Sequence, residues 1–172
     1  MDLSRLKPSA FTTATANLSI ESVWTVAANP LLLPGFSSEL QAVRLLDIGP
    51  IGLGSRFEGD QLRGERRWTT TSTITDYVPH LCIEWSVGDL SNPVSRWSFL
   101  LDENAAGTTL CHKVVLCGGP SPLSDRVANG PREAEAVVQD RLVALRERMA
   151  VTVAGLVDLA RKSEQSASNT LE

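Results

Sequence analysis

Two histidines, three cysteines and one tyrosine are all that this 172-residue chain holds of those side chains. Cys82, Cys111 and Cys117 are odd in number, and no two of them sit at CxxC spacing. This excludes the common structural zinc patterns and a disulfide framework, and it leaves free thiols in a reducing compartment. Neither a metal nor a cofactor is expected.

Basic residues are not in excess either. Sixteen Lys and Arg stand against twenty Asp and Glu, for a formal net charge of −4. Without a basic stripe the chain cannot neutralise a run of phosphates, so nucleic acid is not an expected partner. Nowhere do about 18 apolar residues run together, as a membrane-spanning helix requires. The stretch from Met1 to Pro8 has no apolar run of signal-peptide length, so the expected location is cytoplasmic. Glycine-rich phosphate loops, HExxH and Ser/His/Asp nucleophile patterns are also missing.

What remains is ordinary globular composition, 42% hydrophobic and 21% charged. The length fits one domain, which we place at residues 10–162. Residues 1–9 form an N-terminal extension. Residues 163–172, polar and Ser-rich, are expected to be a disordered tail.

Along the chain, residues 11–20 read as a first strand. Ser19 is placed to cap a short helix carrying Ile20, Val23, Trp24 and Ala27 at helical spacing, which Asn29-Pro30 ends. A second short helical piece falls in residues 31–40. The pattern then changes to period two. Strands are expected at 40–48, 55–62, 66–77, 81–87, 96–101 and 108–117, divided by Gly-, Pro- and Asn-bearing turns. The loop Gly118-Gly119-Pro120-Ser121-Pro122 follows. Pro131 suits the first position of a helix reaching about Lys162. At about 100° per residue, Val138, Leu142, Leu145, Met149 and Leu156 share one narrow stripe of it.

This order resembles a known family. The residues that carry the likeness are Ser19-Ile20-Glu21-Ser22-Val23-Trp24, Gly52-Leu53-Gly54-Ser55-Arg56-Phe57, Ile74-Thr75-Asp76-Tyr77-Val78-Pro79, and Arg96-Trp97-Ser98-Phe99-Leu100-Leu101 leading to Gly107-Thr108-Thr109-Leu110. Together they resemble the SRPBCC superfamily of birch-pollen allergens and StAR-related lipid-transfer proteins, and within it the bacterial polyketide cyclase/dehydrase-like group. The resemblance implies an α+β helix-grip fold. In it a curved antiparallel sheet wraps around a long C-terminal helix, with two short helices between the first and second strands. The family includes ligand carriers, cyclases and chaperone activators, and it carries no shared catalytic signature.

A sheet wrapped around a helix has a concave face that can hold an apolar ligand beside a few polar anchors. Alternation assigns Phe57, Trp68, Thr70, Ser72, Ile74, Leu81, Ile83, Trp85, Val87, Trp97, Phe99 and Leu101 to that face, and His112 with them. From the helix come Val138, Leu142, Leu145 and Met149, with Arg141 at the rim, where it faces either a ligand anion or a salt-bridge partner. Thr70 and Ser72 are small and polar where a tight core prefers Val or Leu, which fits a lined pocket. Glu84 has the opposite parity and should face solvent. Arg66-Arg67 beside a turn reads as a solvated pair.

The expected function is therefore binding of a small hydrophobic or polyketide-like molecule between sheet and helix, reached near Gly118 to Pro122. The ligand-binding candidates are Phe57, Trp68, Thr70, Ser72, Trp85, Trp97, Phe99, His112, Val138, Arg141, Leu142, Leu145 and Met149. A cyclase or dehydratase is the alternative, with His112 the weak candidate for a base. Chaperone activation is a further one and would need an exposed apolar patch. A homodimer is a possible assembly.

Overall fold

Alternating apolar and β-branched side chains build seven strands. In the computed structural model, which describes residues 1–130 and 132–169, these are β1 (Ser9–Ala16), β2 (Leu40–Leu45), β3 (Arg56–Arg63), β4 (Arg66–Val78), β5 (Cys82–Val87), β6 (Ser95–Asn104) and β7 (Gly107–Leu116). They form one antiparallel sheet in the order β1-β7-β6-β5-β4-β3-β2. Strands β2 to β7 are a simple meander, and β1 closes it by pairing with β7 from Ser9↔Val115 to Ala16↔Thr108. This is the α+β layout that the sequence led us to expect.

Among the described residues four α-helices complete it: α1 (Leu3–Leu6), α2 (Ile20–Ala27), α3 (Pro122–Asn129) and α4 (Ala134–Asn169). A 3₁₀ segment, Pro30–Phe36, follows α2, so two short helical pieces separate β1 from β2. Their caps follow from the residues present. The Ser19 hydroxyl accepts from the Ser22 backbone N–H, and the Asn29 side chain accepts from that of Leu31. Ser121 and Ser124 form a reciprocal box at the start of α3.

α4 lies along the concave side of the sheet and packs against β1 and β7. Two apolar clusters result. One joins Val23, Phe57, Ile74, Ile83, Phe99 and Leu101 to Leu156 and Val157 of α4. The other joins Val138, Leu142, Leu145 and Met149 of α4 to Ala10, Val114 and Leu116. Among the described residues, no helix is long and apolar enough to cross a membrane.

Several expectations need correction. α4 runs through Asn169, so residues 163–169 are helical where a disordered tail was expected; residues 170–172 lie outside the described residues. The Glu164 carboxylate helps to hold that last stretch, since it accepts from the Ser19 backbone N–H and from the Ser19 and Ser22 hydroxyls. Pro131, read as the first helical residue, also lies outside the described residues, and α4 begins at Ala134. The N-terminal extension packs onto the domain through Leu3, which is 5% exposed. Leu81 does not face inward. His80 takes a left-handed φ of 64°, the turn carries Leu81 off the pleat, and β5 starts one residue later.

Candidate functional site

The inner faces of β3 and β4 run side by side in four rungs. Arg63 lies opposite Arg66, Gln61 opposite Trp68, Gly59 opposite Thr70, and Phe57 opposite Ser72. All eight residues line a cavity of about 540 Å³ between the sheet and α4. That volume falls within the range typical of small-molecule sites, about 300–1,000 Å³. The rungs grade from a pair of arginines at one end to a buried Phe and Ser at the other. Gly59 helps to keep the wall open, because a Cβ there would lie 2.7 Å from Leu40 Cδ1.

Trp85 of β5, Trp97 of β6 and His112 of β7 continue the wall, so three of the four tryptophans line the cavity. Their rings pack on one another through Phe57 and Phe99. Phe57 meets Trp85 edge-on at 6.2 Å between centroids, and Trp85 meets Phe99 at 5.7 Å. The Trp97 indole N–H donates to Ser95 Oγ, another lining residue, at 3.0 Å, which satisfies it within the wall.

His112 is different. It is 5% exposed, and neither Nδ1 nor Nε2 has a hydrogen-bond partner among the described residues. Phe99 stacks on it, Trp97 lies 5.5 Å away between centroids, and Trp85 6.3 Å. Desolvation pushes its pKa down from 6.5 to about 3, so the ring is neutral at pH 7. A neutral imidazole has one donor and one acceptor, and each one buried and unmet costs about 1–3 kcal/mol. A ligand with a polar atom at this depth would recover part of that cost.

The mouth is marked by exposed lining residues: Arg63 and Arg66 on one side, Pro122, Arg126 and Asp140 on the other. Gly118 and Ser121 also line the cavity, so the Gly118–Pro122 loop lies along this rim. The Glu39 carboxylate spans the rim. Its Oε1 meets Arg148 Nη1 and, at 3.7 Å, Arg63 Nη1, while its Oε2 meets Arg141 Nη2 at 3.5 Å. Burial lowers the pKa of Arg141, with Glu39 opposing that shift. The Arg63 and Arg66 guanidiniums lie over the Trp68 ring, 5.7 and 5.5 Å from its centroid. Arg66 and Arg67 are both exposed, as the sequence led us to expect, and Arg66 also forms part of the rim.

Of the sequence candidates, Phe57, Trp68, Thr70, Ser72, Trp85, Trp97, His112, Arg141, Leu145 and Met149 line the cavity. Phe99, Val138 and Leu142 do not. Phe99 lies behind His112 in the larger apolar cluster. Val138 and Leu142 are turned toward Ala10 and Val114, because the helix presents Arg141, Ala144 and Arg148 to the space instead. Sequence reasoning passed over Glu39, Gln61, Arg63 and Arg148. Arg148 was legible in principle, since it follows Arg141 by two helical turns on the same face. Glu39 has no periodic neighbour to announce it.

Comparison with known proteins agrees with this architecture. Residues 8–150 match the model of the family described as polyketide cyclase/dehydrase and lipid transport. No curated protein is significantly similar in sequence. Among solved structures, the Zhui aromatase/cyclase from Streptomyces sp. R1128 superposes with a TM-score of 0.68 at 17% identity, covering 93% of this chain and 97% of that one. The Polyketide_cyc-like protein Cgl2372 from Corynebacterium glutamicum gives 0.57 at 22% identity, covering 94% of each. Ara h 8.0201 gives 0.58 at 11% identity, covering 88% of this chain and 98% of that one. At such identities the likeness is one of fold, and the shared fold is the helix grip.

Proposed function

This chain belongs to the polyketide cyclase/dehydrase and lipid transport family, and from that premise we propose that it binds one small, largely apolar, ring-bearing molecule in its cavity, as a carrier or sensor. The observation that carries this reading is the unpartnered His112 imidazole among Trp85, Trp97 and Phe99, in the wall of a space of about 540 Å³. The aromatic walls supply contact area to a flat apolar body. His112 supplies one hydrogen bond that orients it.

A cyclase acting on a polyketide-type ketone is favoured less. Its chemistry needs a base matched to neutral pH, and an imidazole whose pKa is pushed to about 3 has little driving force to take a proton from carbon. The same ring is well suited to hydrogen-bond a ligand oxygen or N–H while staying neutral.

The test uses N-phenyl-1-naphthylamine, a neutral aromatic probe. Titration should quench the tryptophans saturably at one probe per chain. Ala144→Trp places an indole on the helix face that lines the cavity; it should leave the melting temperature within a few degrees and abolish saturable binding. Non-saturating quenching, or equal binding to both proteins, would contradict the cavity as the site.

A further inference from the structure

The rim is rich in positive charge beyond what its carboxylates neutralise. Among the described residues, Arg63, Arg66, Arg126, Arg141 and Arg148 line the cavity with only Glu39 and Asp140 against them, in a chain whose formal net charge is −4. The excess is concentrated at one point. Three guanidiniums, those of Arg63, Arg141 and Arg148, converge on the single Glu39 carboxylate. The Glu39 side chain is 13% exposed, against 24% for Arg141, 36% for Arg148 and 43% for Arg63, so the carboxylate is withdrawn from water while the guanidiniums keep part of their access to it. One carboxylate cannot neutralise three guanidiniums, and a partly desolvated excess of like charge favours an added anion. Guanidinium forks match the two oxygens of a carboxylate.

Charge and polarity are also ordered along the space. The Arg63/Arg66 rung is separated from the Phe57/Ser72 rung by six residues of strand, roughly 20 Å of backbone. An occupant that fills the cavity therefore has one end among arginines and the other among aromatic rings.

We propose that the ligand is an amphiphilic acid, its apolar ring against Trp85 and Trp97 and its carboxylate at the rim on Arg141 and Arg148, in competition with Glu39. This deepens, and rests on, the reading of the cavity as a binding site. Glu39 acts as an internal stand-in for the ligand's acid group. It keeps the arginines paired when the space is vacant, and it lowers affinity for weak anions that lack an apolar body.

The experiment compares two probes of the same shape, 4-(2-naphthyl)butanoate and its primary amide, by isothermal titration calorimetry at low salt. The acid should bind about ten- to a hundredfold more tightly than the amide. Arg141→Gln with Arg148→Gln should remove that preference and leave amide affinity within about twofold. Glu39→Gln should raise acid affinity several-fold without changing that of the amide, which a merely structural loosening of the rim would not do. Arg148→Gln alone should cut the preference in part and serves if the double variant does not fold. Equal binding of acid and amide to the wild type would overturn the proposal while leaving the cavity reading intact. A preference that survives removal of the arginines would overturn their assignment. If neither probe binds saturably, the cavity reading falls and this inference with it.

Discussion

Phe99 lies nearly face to face with His112, their ring centroids 4.2 Å apart and their planes 27° apart. The stack fixes the imidazole edge toward the cavity and keeps water from its back. Protonation in this setting is strongly opposed, and that has a consequence for stability. The folded-state pKa, about 3, lies below the ordinary value of 6.5. The unfolded chain therefore binds the proton first as pH falls. The titration of His112 costs no stability above about pH 6.5. Below it the folded state should lose about 1.4 kcal/mol per pH unit until the folded pKa is reached. Denaturant unfolding of wild type and His112→Phe from pH 7 to pH 4 should show this slope in the difference between the two proteins, the wild type losing stability faster than the variant as pH falls. His112→Phe should be no less stable than wild type at pH 7, since it removes two unmet polar atoms. Parallel pH dependence in the two proteins would place His112 elsewhere than in this dry setting.

Two residues of α4, two positions apart, should differ sharply. Leu145 is 3% exposed and Val143 is 57% exposed. Leu145→Asp buries an unpaired carboxylate and should cost more than about 3 kcal/mol or prevent folding. Val143→Asp should stay within about 0.5 kcal/mol of wild type. Thermal melts of both decide it, and equal effects would show that the helix face is misassigned.

Gly155 should behave against helix propensity. Alanine in place of glycine within a helix normally adds about 0.5–1 kcal/mol. Here a Cβ would meet Phe36 Cδ1 at 2.2 Å, so the ring must move from its seat against α4. Gly155→Ala should lower the melting temperature, and a rise would show that the 3₁₀ segment gives way freely.

The same helix carries Glu164, whose carboxylate receives the Ser19 and Ser22 groups at the start of α2. Glu164→Ala should cost about 0.5–1.5 kcal/mol in chemical denaturation. No change at all would mean that α4 does not hold α2 through this residue.

The strands were legible because one face of each is buried and the other is not. Alternation at Ile83 and Trp85, and at Phe57 with Gly59 beyond it, is enforced by the pleat itself. β5 was placed to within one residue, and the miss at Leu81 arose from a left-handed His80 that propensity does not announce. The rotation of α4 was harder. A stripe of apolar residues says that a face is buried, not which neighbour buries it. Val138 and Leu142 fell to β1 and β7 for that reason, and the arginine face beside them took the cavity. The rim was the least legible part. Glu39, Arg63 and Arg148 are separated by long stretches of sequence and meet only through the closure of the sheet around the helix. The helical residues 163–169 were missed because their composition is polar, while their support comes from Ser19 and Ser22 at the far end of the chain.

The most direct measurement is native mass spectrometry of the protein purified from its own host, after equilibration with that host's small-molecule extract. The account predicts one non-covalent adduct per chain, released on denaturation and missing from the Ala144→Trp protein treated in the same way. A wild-type protein that carries no adduct under these conditions, or one that Ala144→Trp carries equally, would contradict the claim that this cavity is a ligand site.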